Sequence, residues 1–130
     1  MTLVDTSVWI DFFASRELPH VDLLERLIKE EENIAICGIN LTEVLQGIAD
    51  EVSYRRIRQP FSDLILLPLV ESTFVAAANC YRTLRTCGVT IRKTNDCIMA
   101  AVAMENDCEL LHNDRDFKQI ARYMPLRIAS

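Results

Sequence analysis

The sequence predicts an α/β fold in three layers, a central parallel sheet with helices on both faces. Three observations lead there. Short β-like apolar runs alternate with helical stretches along the whole chain. No repeat, low-complexity tract or long linker interrupts that order, so residues 1–130 are expected to form a single domain. Half the residues are apolar, enough for a real core at this length.

Taken in order, Leu3 to Asp5 reads as a short strand, ended by Thr6 and Ser7, either of which can cap the amphipathic turn of Val8, Trp9, Ile10, Phe12 and Phe13. Leu18 and Pro19 mark a break. From His20 to about Glu31, Val21, Leu24, Leu27 and Ile28 recur at helical spacing beside a charged face, which makes a surface helix. Ile34 to Cys37 is a second strand. Asn40 suits the N-cap of a helix carrying Leu41, Val44, Leu45 and Ile48, with Glu43 three residues on as in a capping box. A polar helix from about Ser53 to Gln59 should end before Pro60, and Leu64 to Leu67 reads as a buried strand stopped by Pro68. The longest helix runs from Ser72 to about Cys87, with Gly88 as its C-terminal cap. Thr94 or Asn95 caps the next, where Ile98, Ala101 and Val102 form an apolar face and Asp96 lies in the first turn. Leu110 and Leu111 make a strand, Asp114 opens a short helix through Phe117 and Ile120, and Leu126 to Ile128 is an edge strand.

Asp5, Glu43, Asp96, Asp114 and Asp116 each follow a short apolar run or stand near a helix start, in four separated segments. In a parallel α/β fold, ligands bind beyond the carboxyl ends of the strands, close to helix N-termini. The five acids can converge on that rim. Converging carboxylates repel one another unless a cation neutralises them, which points to a divalent metal site. Singly, Glu43, Asp96 and Asp114 also fit as helix caps or first-turn acids. Asp5 is harder to dismiss, because it interrupts an apolar run at a strand end for no packing reason. Asp116 fits either reading, as part of a polar N-D-R-D turn.

Nineteen acidic against fourteen basic residues give a net charge of −5, the reverse of the balance expected where phosphate neutralisation drives nucleic-acid binding. A phosphate-bearing substrate therefore needs local help, from bound cations or from clusters such as Arg55, Arg56 and Arg58, or Arg92 and Lys93; each cluster also fits a solvated face. Five cysteines without a C-x-x-C pair read as small buried hydrophobes in a reducing compartment, and with only His20 and His112 to assist them they disfavour zinc. No signal-like N-terminus and no stretch near the roughly 20 apolar residues of a membrane span is present. A cytoplasmic protein is expected.

The motifs LVDTSVW, T-E-V-L-Q-G, N-D-C-I-M-A-A-V-A and N-D-R-D-F, in this order and over this length, resemble the PIN-domain family, and within it the VapC-type ribonuclease toxins of toxin–antitoxin pairs. The resemblance implies a PIN-like parallel sheet and an acidic pocket that binds Mg²⁺ or Mn²⁺ and cleaves RNA endonucleolytically. Matched motif by motif, Asp5, Glu43, Asp96 and Asp114 correspond to the family's acidic quartet, with Asp116 a frequent extra member. Ser7 is retained, and one departure falls at His112, where the family commonly carries Thr or Ser. The implied partners are RNA, a second copy of the chain, and a VapB-like antitoxin that covers the pocket.

Carboxylates without a cysteine or histidine cluster independently suit hard cations. Asp5 and Asp96 are expected as direct ligands, Glu43 and Asp114 as supports or ligands of a second ion, and Asp116 behind them. Arg16, Arg92 and Arg115 are the candidates for phosphate contact, along with Ser7. His112 reads as packed or hydrogen-bonded, and Trp9 and Phe12 as core or interface aromatics. Two other functions remain open: a PIN nuclease of RNA maturation, and a non-catalytic binding module whose acids are caps. An aspartyl phosphatase would want an acid at Ser7, and a receiver domain an acidic pair near the first strand and a late lysine; neither pattern occurs.

Overall fold

The computed structural model describes residues 1–130. Its elements are β1 (Thr2–Val4), α1 (Thr6–Phe13), α2 (Pro19–Lys29), β2 (Ile34–Cys37), α3 (Gly38–Gln46), α4 (Glu51–Phe61), β3 (Ile65–Leu67), α5 (Glu71–Thr86), α6 (Thr94–Glu105), β4 (Glu109–Leu111), α7 (Arg115–Tyr123) and β5 (Arg127–Ile128). The five strands form one sheet in the order β3-β2-β1-β4-β5, with every pairing parallel. The predicted α/β fold is the observed one.

Strand residues alternate between the two faces, as the pleat requires. Leu3, Ala35, Cys37 and Leu110 point into a core shared with α5, α6 and α7. Val4, Ile34, Ile36 and Leu111 point the other way, into a core with Val8 and Trp9 of α1, Leu24 of α2, Val44 of α3, and Ile57 and Phe61 of α4. Helix α6 is buried from Asp96 to Ala103. It is therefore apolar on nearly all sides, as a helix covered on all sides should be, and it carries its one early acid into the interior.

Several boundaries differ from the sequence reading, each for a local reason. Asp5 lies beyond the strand and is itself the cap of α1, accepting from the Ser7 N–H at 3.1 Å, so Thr6 and Ser7 are helical. Helix α3 starts earlier than expected, capped at Cys37; Asn40 is inside it, fully buried, its Oδ1 accepting from the Cys37 N–H. Glu43 consequently sits beyond the first turn. Neither Thr94 nor Asn95 caps α6, which begins after Lys93. Helix α4 is capped by Asp50 and runs through Pro60 to Phe61, although a proline inside a helix gives up a backbone hydrogen bond. Strand β3 is an edge strand with Ile65 and Leu66 exposed, not a buried one. Cys87 is exposed, while the other four cysteines are buried.

Gly88 ends α5 as expected. Its φ of 81° places it in the left-handed region, the Gly88 N–H donates to Arg85 O, and the Val89 N–H donates to Leu84 O. That paired closure is the Schellman arrangement, which glycine allows without steric cost. No helix is long and apolar enough to cross a membrane.

Candidate active site

The strand order reverses at β1, with β2 on one side and β4 on the other. Chains leave these central strands in opposite directions, opening a crevice at their carboxyl ends. Asp5 follows β1, and His112, Asn113 and Asp114 follow β4. The first turn of α6 supplies Asp96, and that of α7 supplies Asp116.

Asp96, Asp114 and Asp116 each place a carboxylate oxygen within 4.8 Å of the others. Asp114 caps α7, its Oδ1 accepting from the Asp116 N–H at 2.9 Å. Asp96 and Asp116 cap nothing. Asp96 Oδ2 and Asp116 Oδ2 are buried and accept no hydrogen bond. The Arg92 guanidinium stands 3.5 Å from Asp116 Oδ2 and the Lys93 ammonium 3.6 Å from Asp114 Oδ2, ionic contacts from exposed side chains that leave the buried oxygens unbonded. Buried polar atoms without partners are rare and costly. Burial pushes the Asp96 carboxyl up to about 7, and the charges of Asp114, Asp5 and Asp116 push the same way against the pull of Lys93.

Asp5 is buried beside this cluster. Its Oδ2 accepts from the Ser7 hydroxyl at 2.6 Å as well as from the Ser7 N–H, so the carboxylate is held in one orientation. Glu43 is not among the three clustered acids and is held separately. Its Oε1 accepts from the Thr6 hydroxyl at 3.0 Å, and that hydroxyl in turn accepts from the buried Asn40 amide at 3.1 Å. Consecutive residues Thr6 and Ser7 thus orient Glu43 and Asp5 respectively.

The geometry separates the acids by surroundings. Asp116, the most ambiguous in the sequence, is buried in the tight cluster, while Asp5 and Asp114 do cap helices. The donor set fits a hard divalent cation: carboxylate oxygens only, two of them buried and unsatisfied, with no cysteine or histidine among them. Asp96, Asp114 and Asp116 could hold it, with Asp5 alongside.

Of the phosphate candidates, Arg92 lies at the cluster, Arg16 is paired instead with Asp11, and Arg115 is exposed without an acidic partner. His112 packs its ring 5.2 Å from that of Phe117, and its Nδ1 accepts from the Asp114 N–H. Burial lowers its basicity, so the neutral ring serves as an acceptor. Trp9 is a core aromatic, stacked or edge-on to Phe12, Phe13 and Phe61. The sequence reading passes over Asp11 and takes Asn40 for a cap. An acid inside the apolar W-I-D-F-F run was the available signal for the first; for the second, an asparagine at a helix start looked like a cap.

The PIN domain family matches residues 2–123. Ribonuclease VapC11 of Mycobacterium tuberculosis and VapC ribonuclease Mb1587 of Mycobacterium bovis are each 35% identical over 132 residues, covering 100% of this chain and 98% of theirs. Among solved structures, VapBC2 from Rickettsia felis bound to a promoter DNA fragment superposes with a TM-score of 0.76 at 20% identity, over 98% of this chain and 96% of that one. VapBC-1 from nontypeable Haemophilus influenzae gives 0.73 at 18% identity, over 99% and 96%. These structures share the fold, and the sequence relatives share the whole length. The chain belongs to the PIN-domain family and stands with its VapC members.

Proposed function

We infer that this chain is a Mg²⁺- or Mn²⁺-dependent endoribonuclease acting as the toxin of a type II toxin–antitoxin pair, the whole of 1–130 serving as one catalytic domain. The observation that carries the reading is the pair of buried, unbonded oxygens on Asp96 and Asp116 at the strand-order reversal. Helix caps would be satisfied by backbone N–H groups; these are not. Asp96, Asp114 and Asp116 would hold a divalent cation, which would supply acidification of the attacking water and charge neutralisation at the phosphate in phosphodiester hydrolysis. The chain's own residues prepare the place for it. Ser7 fixes Asp5, Thr6 and Asn40 fix Glu43, and the α7 cap fixes Asp114. Arg92 and Lys93 stand at the rim, available to phosphate oxygens once the carboxylates are neutralised. That local basic edge is how a chain of net charge −5 can hold RNA.

A VapB-like antitoxin and a second copy of the chain are the proposed partners, in keeping with the VapBC complexes among the structural likenesses. A hollow of about 550 Å³ lined by Trp9, Phe12, Phe13, Ile57 and Phe61 offers apolar surface for an antitoxin segment. Val70, Phe74 and Val75, exposed at and after the start of α5, offer it for a second copy. The five unpaired cysteines fit a reducing cytoplasm. Sequencing the RNA ends produced on Mg²⁺ addition tests the activity, with Asp96→Asn as control. Discrete ends from the wild type alone are expected; equal ends from both proteins would refute the assignment. Growth arrest on expression, relieved by a co-encoded small protein, separates a toxin from an RNA-maturation nuclease.

A further inference from the structure

Asp11 is a buried carboxylate that the proposed reaction does not use. It stands near the end of α1, 4% exposed, and gathers donors from three parts of the chain. Arg16 Nη1 donates to its Oδ1; His20 Nε2, in the first turn of α2, donates to Oδ2 at 2.6 Å; and the Asn113 side-chain amide donates to the same Oδ2 at 3.2 Å. Burial alone would raise its pKa, but the bonds from His20 and Arg16 hold it below the usual carboxylate value. Asp11 is therefore a fixed anion with both its oxygens directed at particular groups.

Asn113 is the partner with consequences for the site. It lies in the β4–α7 turn immediately before Asp114, and its backbone N–H donates to Ser7 Oγ at 3.2 Å. Ser7 Oγ in turn donates to Asp5 Oδ2 at 2.6 Å. The turn is thus pinned to α1 at two points on one residue: the main chain to Ser7 and the side chain to Asp11. Those two points are one helical turn apart on α1, so together they fix both the position and the tilt of the turn. Asp5 leads into α1 and Asp114 follows the pinned residue, so the clamp sets the spacing between them. Asn113 is exposed, and the partner of its side-chain amide is the anion buried beneath it.

We propose that Asp11 is a positioning residue of the acidic site, which through Asn113 clamps the β4–α7 turn onto α1 and so holds Asp114 in register with Asp5. This rests on the metal-site reading above. Groups that orient metal-binding residues without touching the ion typically change affinity by roughly 10- to 100-fold when removed.

The test uses Asp11→Asn, Asn113→Ala and the double variant of the full chain. Mn²⁺ affinity is read by calorimetry, and exchange of the Asn113 amide proton is read by NMR without metal. Each single variant should weaken Mn²⁺ binding about tenfold, with the double variant no weaker than the singles, because the two residues act in one chain. Exchange at Asn113 should accelerate in Asp11→Asn. Unchanged exchange there overturns the clamp whatever the metal does. Faster exchange with Mn²⁺ affinity within twofold of wild type would leave a purely structural link and overturn the positioning role. Additive losses in the double variant would show that Asp11 does not act through Asn113. A wild type that binds no Mn²⁺ removes the metal-site reading and this role with it, while the exchange measurement still reports on the clamp separately.

Discussion

Replacing Asp96 with Asn should stabilise the metal-free protein at alkaline pH, although it removes a central member of the site. In the fold, Asp96 holds its proton up to a pH of about 7, against the ordinary 3.8 of an exposed carboxyl. A group whose folded pKa is raised adds stability that is fully present below the unfolded pKa and is lost as pH rises through the folded one. The window is therefore roughly pH 4 to 7, and above it the wild type carries an uncompensated buried charge. At ~1.4 kcal/mol per factor of ten in proton affinity, the ceiling on this penalty is ~4 kcal/mol. Solvent at the pocket mouth screens it, which reduces the expected value to roughly 2 kcal/mol. The side-chain amide introduced by Asp96→Asn would carry no charge and could donate to the oxygens of Asp114 or Asp116, which lie within 4.8 Å. Thermal unfolding by circular dichroism in chelator is the assay. At about 4 °C per kcal/mol for a chain of this size, Asp96→Asn should melt roughly 8 °C above wild type at about pH 8 and level with it at about pH 4. Addition of Mn²⁺ at about 100 times its Kd should raise the wild type by ~2.7 kcal/mol and leave the variant unmoved. A variant no more stable than wild type in the alkaline melt would refute the claim that Asp96 is a buried, charge-strained ligand.

Asp5→Asn should lose Mg²⁺-dependent cleavage while melting within about 3 °C of wild type, because an amide oxygen can still cap α1; Asp5→Ala should cost a further ~1 kcal/mol for the lost cap, measured by the same melts. Retained cleavage in Asp5→Asn would remove that residue from the site. Arg92→Ala with Lys93→Ala should tighten Mn²⁺ binding several-fold, since two competing cations leave the carboxylates, and should weaken binding of a non-cleavable 2′-O-methyl RNA in the presence of Mn²⁺, measured by fluorescence anisotropy, with a shallower salt dependence by about two charges. Loss of both affinities would contradict this competition. Gly88→Ala should cost ~1 kcal/mol, because a side chain is forced into the left-handed region at the α5 end, and should leave cleavage per folded molecule unchanged. A variant as stable as wild type would mean that the turn relaxes.

How far the sequence reveals this molecule depends on whether a signal is periodic or relational. The face of α2 is periodic, and β1 and β2 are short runs buried at every residue; both were legible because burial leaves its mark in the order of residues. The end of α5 was legible from Gly88 alone, since few other residues fit there. Caps were misread where several residues could serve: Thr6 and Ser7 looked like caps, yet Asp5 takes the Ser7 N–H, and Asn40 looked like a cap when its amide is spent on Cys37 and Thr6. Strand β3 reads as buried because its residues are apolar, but nothing in a short run tells an edge from a centre; that depends on where the neighbours lie. The acids stand out in the sequence one by one, but which of them lie together does not. Asp116 gains its importance from burial against Asp96 and Asp114, and Asp11 from partners at His20 and Asn113, relations that no local pattern encodes.

The fold and the site are most closely joined in Asp5, Thr6 and Ser7. Strand β1 must end here for α1 to begin, and a helix start needs an acceptor for its free N–H groups. Asp5 provides it with one oxygen, and the other remains available to the pocket. The two hydroxyls that follow are placed on helical positions pointing to either side of the crevice, one toward α3 and Glu43, the other toward the β4–α7 turn. Thr6 both donates and accepts, and so does Ser7. Valine or alanine at either position would strand a partner whose own geometry depends on it, leaving Asn40 with a buried unpaired donor in one case and freeing Asn113 in the other. Three residues chosen by the needs of a strand-to-helix turn thereby set the orientation of Asp5 and Glu43 directly and of Asp114 through its neighbour. Asp96 and Asp116 come from the first turns of α6 and α7, and there the Oδ2 of each is left without a hydrogen-bond donor.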